Sequence, residues 1–288
     1  MKIKSYFSLV KISHTIFALP FALIGFFTAI YFNNISFSWQ KLLLVLGCML
    51  FARNAAMAFN RWVDANIDAN NPRTATREIP AGVLKADKVM WFTILNCALF
   101  TLCTWYINLL CFYLSPIALI VVLGYSFTKR FTRWCHFVLG IGLALAPVGA
   151  YLAVTGMFNA IPVMFGLTVL TWVAGFDVIY SLQDELFDRE NNLYSIPVKY
   201  GKKRALIISE LLHVSSVVFL IIAGIAGNFS IWYLFGVLFF GALLMYQHFL
   251  VNPNDLSKVN LAFFTTNGIA SIVFFLFVII DLLTNYYH

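Results

Sequence analysis

Residues 109–127 read LLCFYLSPIALIVVLGYSF, a run of nineteen positions without one charge. The hydrocarbon core of a bilayer is about 30 Å thick and takes roughly 20 apolar helical residues to cross, so this stretch has the length of a membrane span. Eight comparable runs surround it, at 15–32, 42–59, 89–107, 137–154, 160–180, 205–226, 231–250 and 261–280. A lone strand in lipid would leave its backbone unpaired, and barrel strands would be shorter and alternate in polarity, so the runs predict helices. The expected fold is all-α: a polytopic membrane protein of nine transmembrane helices, forming one domain over residues 1–288.

Composition points the same way. Of 288 residues, 61% are hydrophobic and 11% charged, against about half and a quarter in soluble proteins. That excludes a disordered chain and an ordinary cytosolic enzyme. Five cysteines form no CxxC pair, which predicts neither a zinc site nor a disulfide framework. The first apolar run is long and lacks a small-residue cleavage site, so it reads as a retained span rather than a signal peptide.

Seventeen of the 19 basic residues fall before span one or after spans two, four, six and eight. The positive-inside rule therefore places the N-terminus and the long loops in the cytoplasm and the C-terminus outside, and a start without an Arg/Ser-rich organelle-targeting leader points to a bacterial or archaeal inner membrane. The basic residues are divided among loops at the lipid surface, so the positive balance reports topology and contact with membrane lipid, not nucleic acid. Nine of the 12 acidic residues share those loops, a bias that orientation does not require. The chemistry is expected at that face, under cap loops at about 60–88, 128–136 and 181–204.

Two segments concentrate the acids: Asn60-Arg-Trp-Val-Asp64-Ala-Asn-Ile-Asp68, and Asp177-Val-Ile-Tyr180-Ser-Leu-Gln-Asp184-Glu185-Leu-Phe-Asp188. Four-residue spacing puts helical side chains on one face, a turn apart. Each segment continues an apolar span to its end, so the carboxylates stand at the lip of the bundle. Crowded carboxylates repel unless protonated, paired with cations or bound to metal. Mg²⁺ takes oxygen ligands, typically one or two carboxylates plus substrate phosphate oxygens, so opposed acidic pairs suit a diphosphate held through magnesium. Arg73, Arg77, Lys129, Arg130 and Lys199 are placed to reach its remaining oxygens. Glu78, Asp87 and Asp255 read as surface residues. Arg53 and Asp177 each sit seven residues, about 10 Å, inside a span. Ionisable groups at that depth face a cavity or one another. Arg53 therefore reads as the contact for an anionic acceptor, or as the ion-pair partner of Asp177; Asp177 otherwise assists the metal site or a proton transfer.

In this order and on one face, the motifs resemble the UbiA superfamily of intramembrane aromatic prenyltransferases, in particular its 4-hydroxybenzoate polyprenyltransferase-like members. NRWVDANIDANNPRTATREIPAG (60–82) is similar to the first aspartate-rich motif, with Asn60, Asp64, Asp68, Arg73, Thr74 and Arg77 in matching places. GYSFTKRFTRW (124–134) is similar to the loop carrying Tyr125, Lys129 and Arg130. DVIYSLQDELFDRENNLYSIPVKYG (177–201) is similar to the second motif, with Asp177, Tyr180, Asp184 and Asp188, and HTIFALPFAL (14–23) to the start of the quinone-pathway subgroup. The sequence departs from many relatives at Arg61, where they have Asp, and at Tyr194, where they have Lys.

The resemblance implies nine helices around a central cavity. It implies Mg²⁺ held by Asp64, Asp68, Asp184 and Asp188 with Asn60, and a polyprenyl diphosphate as donor. The acceptor implied is an aromatic acid, first of all 4-hydroxybenzoate, with a naphthoate or haem as the alternatives. Tyr125 and Tyr180 are expected to turn their rings to the allylic cation. A transporter would place its charges near the bilayer midplane on broken helices, often in inverted repeats, which this pattern does not match. A CDP-alcohol phosphotransferase would carry one denser motif, and here there are two separated ones.

Overall fold

The computed structural model describes residues 2–10 and 17–286. Its helices are α1 (Lys2–Val10), α2 (Leu19–Phe32), α3 (Trp39–Val63), α4 (Ala65–Asn70), α5 (Ala86–Ile107), α6 (Leu109–Thr128), α7 (Cys135–Thr155), α8 (Ala160–Ser181), α9 (Glu185–Glu190), α10 (Ile196–Ala226), α11 (Ile231–Leu250) and α12 (Asn267–Tyr286). Among the described residues, eight helical segments are long and apolar enough to cross a bilayer. They correspond to eight of the nine expected spans. The remaining one, expected at 15–32, is represented by α2, whose 14 residues rise about 21 Å. Lys11 and the opening His14-Thr15-Ile16 of its motif lie outside the described residues.

Local chemistry sets the helix ends. Ser38, Asn108, Asn159 and Ser195 accept backbone N–H groups of the first turns of α3, α6, α8 and α10, satisfying donors that have no partner inside the helix. Pro20 and Pro197 stand in first turns, where a missing N–H costs nothing. The segment 181–204, expected as a loop, is largely helical: a 3₁₀ turn (Leu182–Asp184), α9, and then α10 from Ile196 rather than from 205. Hydropathy marks only the apolar part of a helix, whereas the Ser195 cap starts α10 ahead of that part, before a bend at Gly201.

In lipid, helices associate through close packing and small residues rather than through hydrophobic drive. The central helix is α8, whose Trp172 lies 5.4 Å, ring to ring, from both Phe21 of α2 and Phe240 of α11. A Cβ on Gly25 would stand 2.1 Å from the Pro147 carbonyl oxygen, so only glycine lets α2 and α7 cross there. Asn267 accepts the Trp172 and Gln247 side-chain N–H groups, each at 2.7 Å. It donates to the Phe263 carbonyl at 2.8 Å, inside the π-helical turn Leu261–Thr266. Helices α3, α5 and α6 are far less enclosed, with Leu43, Trp91 and Ile120 exposed outward. Helices α3 and α6, with α7 and α8, wall a chamber of about 640 Å³ on their inner side.

Candidate active site

At the end of α3 the backbone N–H of Asp64 bonds the Asn60 carbonyl, and that of Asp68 bonds the Asp64 carbonyl. The chain thus turns into α4 with the two carboxylates one turn apart. On the other side, α8 passes through its 3₁₀ turn into α9, spacing Asp184 and Asp188 in the same way. The two lips meet at the mouth of the chamber, where Asn71 Nδ2 donates to Asp184 Oδ1 at 3.2 Å.

Each of these four carboxylates has its own cation. Arg130 Nη2 donates to Asp64 Oδ1 at 2.8 Å, and Asn60 Nδ2 donates to Asp64 Oδ2 at 2.9 Å. Arg77 Nη1 reaches both Asp68 oxygens, at 2.7 and 2.8 Å. Arg73 grips Asp184 through Nε at 2.9 Å and Nη2 at 2.6 Å. Lys129 Nζ lies 2.7 Å from Asp188 Oδ1. Three of the pairs join different loops, so the 60–88, 128–136 and 181–204 segments are stapled together by charge.

Electrostatics follow from the burial. Desolvation pushes the Asp64 carboxyl above its ordinary value, and Arg130 opposes that shift without cancelling it. Burial alone would lower Lys129, but the adjacent Asp188 carboxylate outweighs it and holds the ammonium above its usual range.

Below the lips, Arg53, Tyr125, Asp177 and Tyr180 line the chamber. Arg53 Nη2 donates to the Val10 carbonyl at the end of α1, at 3.3 Å. The expected alternative of an Arg53–Asp177 ion pair is replaced: Asp177 Oδ2 is held by His136 Nδ1 at 2.6 Å. Tyr180 takes a hydrogen bond from Arg73 Nη1 at 2.8 Å and has the same guanidinium over its ring at 5.1 Å. Its ring also lies 4.3 Å from that of Phe263.

Several sequence expectations need correcting. Asp188, expected among the metal ligands, is fully buried against Lys129 and does not line the chamber. Lys199, expected beside the diphosphate, is exposed in the first turn of α10 and also lies off the chamber. Glu78, taken for a surface residue, accepts the Ser8 hydroxyl at 2.6 Å and lies 4.0 Å from buried Arg61. Asn71 and His136 join the site with no signal in the sequence. One is an asparagine in an Asn-rich turn and the other a lone histidine 41 residues from its partner, and no spacing within a single sequence flags either.

Among the described residues, no three His, Cys, Asp or Glu side chains converge as a ready metal-ligand cluster. What the lips offer is Asp64 and Asp68 on one side and Asp184 on the other, all lining the mouth. This is a set of hard oxygen donors, and Mg²⁺ needs only one or two carboxylates when phosphate oxygens complete its shell. The residues therefore fit that ion.

Comparison with known proteins agrees with this geometry. The model of the UbiA prenyltransferase family matches residues 18–278. A 4-hydroxybenzoate octaprenyltransferase of Tolumonas auensis is 28% identical over 237 residues, covering 82% of each chain. One from Francisella tularensis subsp. novicida is 29% identical over 232 residues, covering 79% of this chain and 80% of its own. Among solved structures, an apo UbiA homolog from Aeropyrum pernix K1 superposes with a TM-score of 0.84 at 29% identity, covering 93% of this chain and 98% of that one. A homolog from Archaeoglobus fulgidus, bound to GPP and Mg²⁺, shares the fold with a TM-score of 0.70 at 19% identity, covering 96% and 99%. This chain belongs to the UbiA prenyltransferase family, enzymes that transfer prenyl groups within a multi-pass membrane fold.

Proposed function

We propose that the enzyme transfers a polyprenyl group from its diphosphate to the ring of an aromatic acid, 4-hydroxybenzoate first, in a Mg²⁺-dependent reaction of quinone biosynthesis. The active site is assigned to the cytoplasmic side of an inner membrane, because the basic loops carry it. One observation supports the reading above the rest. Carboxylate–cation pairs from three loops ring the mouth of an apolar chamber, and Arg53 stands below them. A diphosphate needs cations at the mouth, a polyisoprenoid chain needs the apolar chamber, and an aromatic carboxylate needs the buried guanidinium.

Asp64, Asp68 and Asp184 would hold Mg²⁺, with Asn60 orienting Asp64. When bound, the ion supplies charge neutralisation for the departing diphosphate. Arg73, Arg77 and Arg130 turn from their carboxylates to the diphosphate oxygens, and Lys129, still paired with buried Asp188, turns a second N–H to them, so that the C1–O bond breaks with its electron pair on the leaving group. Arg53 holds the acceptor carboxylate and so directs the ring carbon beside the hydroxyl toward C1. Tyr125, Tyr180 and Phe176 line the space around that carbon and keep water from the allylic cation, which would otherwise become an alcohol.

Membranes containing the enzyme, incubated with Mg²⁺, a prenyl diphosphate and a panel of 4-hydroxybenzoate, a dihydroxynaphthoate and haem, decide the acceptor by mass spectrometry of the product. A C-prenylated 4-hydroxybenzoate is expected. Prenylation of the naphthoate or haem alone would overturn the acceptor assignment, and uptake without turnover would overturn the enzyme.

A further inference from the structure

His136 is 2% exposed and sits in the first turn of α7, wedged between α8 and α10. Its two ring nitrogens have different duties. The Ile196 backbone N–H, a first-turn donor of α10, points at Nε2 from 3.3 Å. An amide N–H can only donate, so Nε2 carries the lone pair and the single ring proton of the neutral imidazole is on Nδ1. Nδ1 donates it to Asp177 Oδ2 at 2.6 Å. The histidine is thereby fixed at both ends, and it fixes the carboxylate in turn.

The other oxygen of Asp177 has no hydrogen-bond partner among the described residues, while the side chain is 23% exposed and lines the chamber. Asp177 stands seven residues before Asp184 on α8, about 10 Å from the lip along the helix axis. Arg53 precedes Asn60 by the same interval on α3. The carboxylate therefore lies at the depth where the acceptor ring would sit, below the diphosphate. Tyr180 and Phe176, on the same helix, line the chamber beside it. A carboxylate with one oxygen unpartnered in so apolar a space is costly unless it has a task there.

We infer that Asp177 is the proton acceptor for the ring hydrogen displaced by prenylation, and that His136 is the positioning residue that aims it. The inference rests on the aromatic-acceptor reading above. The ring carbon uses a π pair to bond C1 as the C1–O bond breaks toward diphosphate. The ring C–H bond then breaks, its electrons restore aromaticity, and the proton passes to the open oxygen of Asp177. The products are the prenylated acid, diphosphate and a protonated carboxyl, which returns its proton to water when product leaves. His136 keeps its own proton throughout, because Nε2 is committed to Ile196.

The test compares wild type with Asp177→Asn, His136→Leu and His136→Gln, using 4-hydroxybenzoate with hydrogen or deuterium at the ring positions beside the hydroxyl. Wild type should show no isotope effect on kcat, since loss of the proton follows the slow ionisation. Asp177→Asn and His136→Leu should lose about 10²-fold or more in kcat, as removal of a general base does, and should acquire a primary ring isotope effect. KM for prenyl diphosphate should hold in both. A glutamine at 136 has an amide N–H for Asp177 and an amide oxygen for the Ile196 N–H, so His136→Gln should restore kcat and abolish the isotope effect. Thermal protection by prenyl diphosphate with Mg²⁺ shows that each variant is folded. Wild-type turnover in Asp177→Asn, a loss without an isotope effect, or equal damage from glutamine and leucine at 136 overturns the inference. A wild-type enzyme that prenylates no aromatic acid overturns the reading beneath it instead.

Discussion

Arg73 and Asp184, 111 residues apart in the chain, meet in a two-pronged ion pair with contacts of 2.9 and 2.6 Å. The same arginine stacks over Tyr180 and donates to its hydroxyl. The groups expected to bind metal and those expected to bind phosphate are thus the two halves of the same pairs. A site full of carboxylates is stable without ligand because each acid is neutralised locally, and a site full of cations is stable for the same reason. Binding of a magnesium diphosphate then exchanges partners: carboxylates go to metal, guanidinium groups go to phosphate, and little net charge is buried at any stage.

Exchange of partners makes a prediction of opposite signs. Arg73→Ala leaves Asp184 without its main cation, so Mg²⁺ no longer competes with a guanidinium for that carboxylate. Mg²⁺ alone should therefore raise the melting temperature more in Arg73→Ala than in wild type, while KM for prenyl diphosphate rises about tenfold or more. Equal responses to Mg²⁺ would mean that Asp184 does not meet the ion.

The two acids of the second lip should differ. Asp184 lines the chamber and Asp188 is buried behind Lys129. Asp184→Ala, like Asp64→Ala, should cost about 10²-fold or more in turnover, the scale for losing a preorganised electrostatic group, with the protein still folded in membranes. Asp188→Asn should raise KM for prenyl diphosphate through Lys129 yet leave the Mg²⁺ concentration for half-maximal activity unchanged. A Mg²⁺ titration of the three variants checks both.

The pH dependence follows from Asp64. Burial raises its carboxyl, and the proton must leave before the group can meet a cation. The acid limb of kcat/KM, which reports the free enzyme, should therefore fall at a higher pH than an ordinary aspartate would give. Arg130 lowers that value, so Arg130→Gln should move the limb further up, with activity lost earlier as pH falls. A limb that stays in place or moves down would separate Asp64 from the titration.

Much of this was legible in the sequence, and the limits have physical causes. The runs of 17 to 25 apolar residues that lipid demands cannot be hidden, so the spans from α3 to α12 were readable. The place of Asp64, Asp68 and Asp184 at the mouth is readable because carboxylates that end an apolar span stand at its lip. Asp188 keeps the four-residue interval but turns behind Lys129, which spacing along one helix does not reveal. Lys199 was misplaced because the Ser195 cap starts α10 early and carries the lysine onto its exposed face. His136, Glu78 and Gly25 act through partners on other elements, and their identity is set by crossings no single sequence displays.

Asp281 is a case of a charge with a structural task, far from the lips. It is fully buried in α12 and accepts the backbone N–H groups of Ser230 and Tyr233, at 2.9 and 3.0 Å, together with the Ser230 hydroxyl and Asn285 Nδ2. Those N–H groups open α11, whose first turn has no side-chain cap of its own, so α12 supplies the negative group that the helix terminus favours. Asp281→Ala would leave buried donors unsatisfied and should cost about 1–3 kcal/mol. Asp281→Asn keeps an accepting oxygen and should cost less. Because the chamber does not include this residue, kcat/KM below the melting transition should match wild type in both. Thermal unfolding in detergent, followed with turnover at a permissive temperature, checks the separation; a catalytic defect without a stability defect would contradict the assigned role.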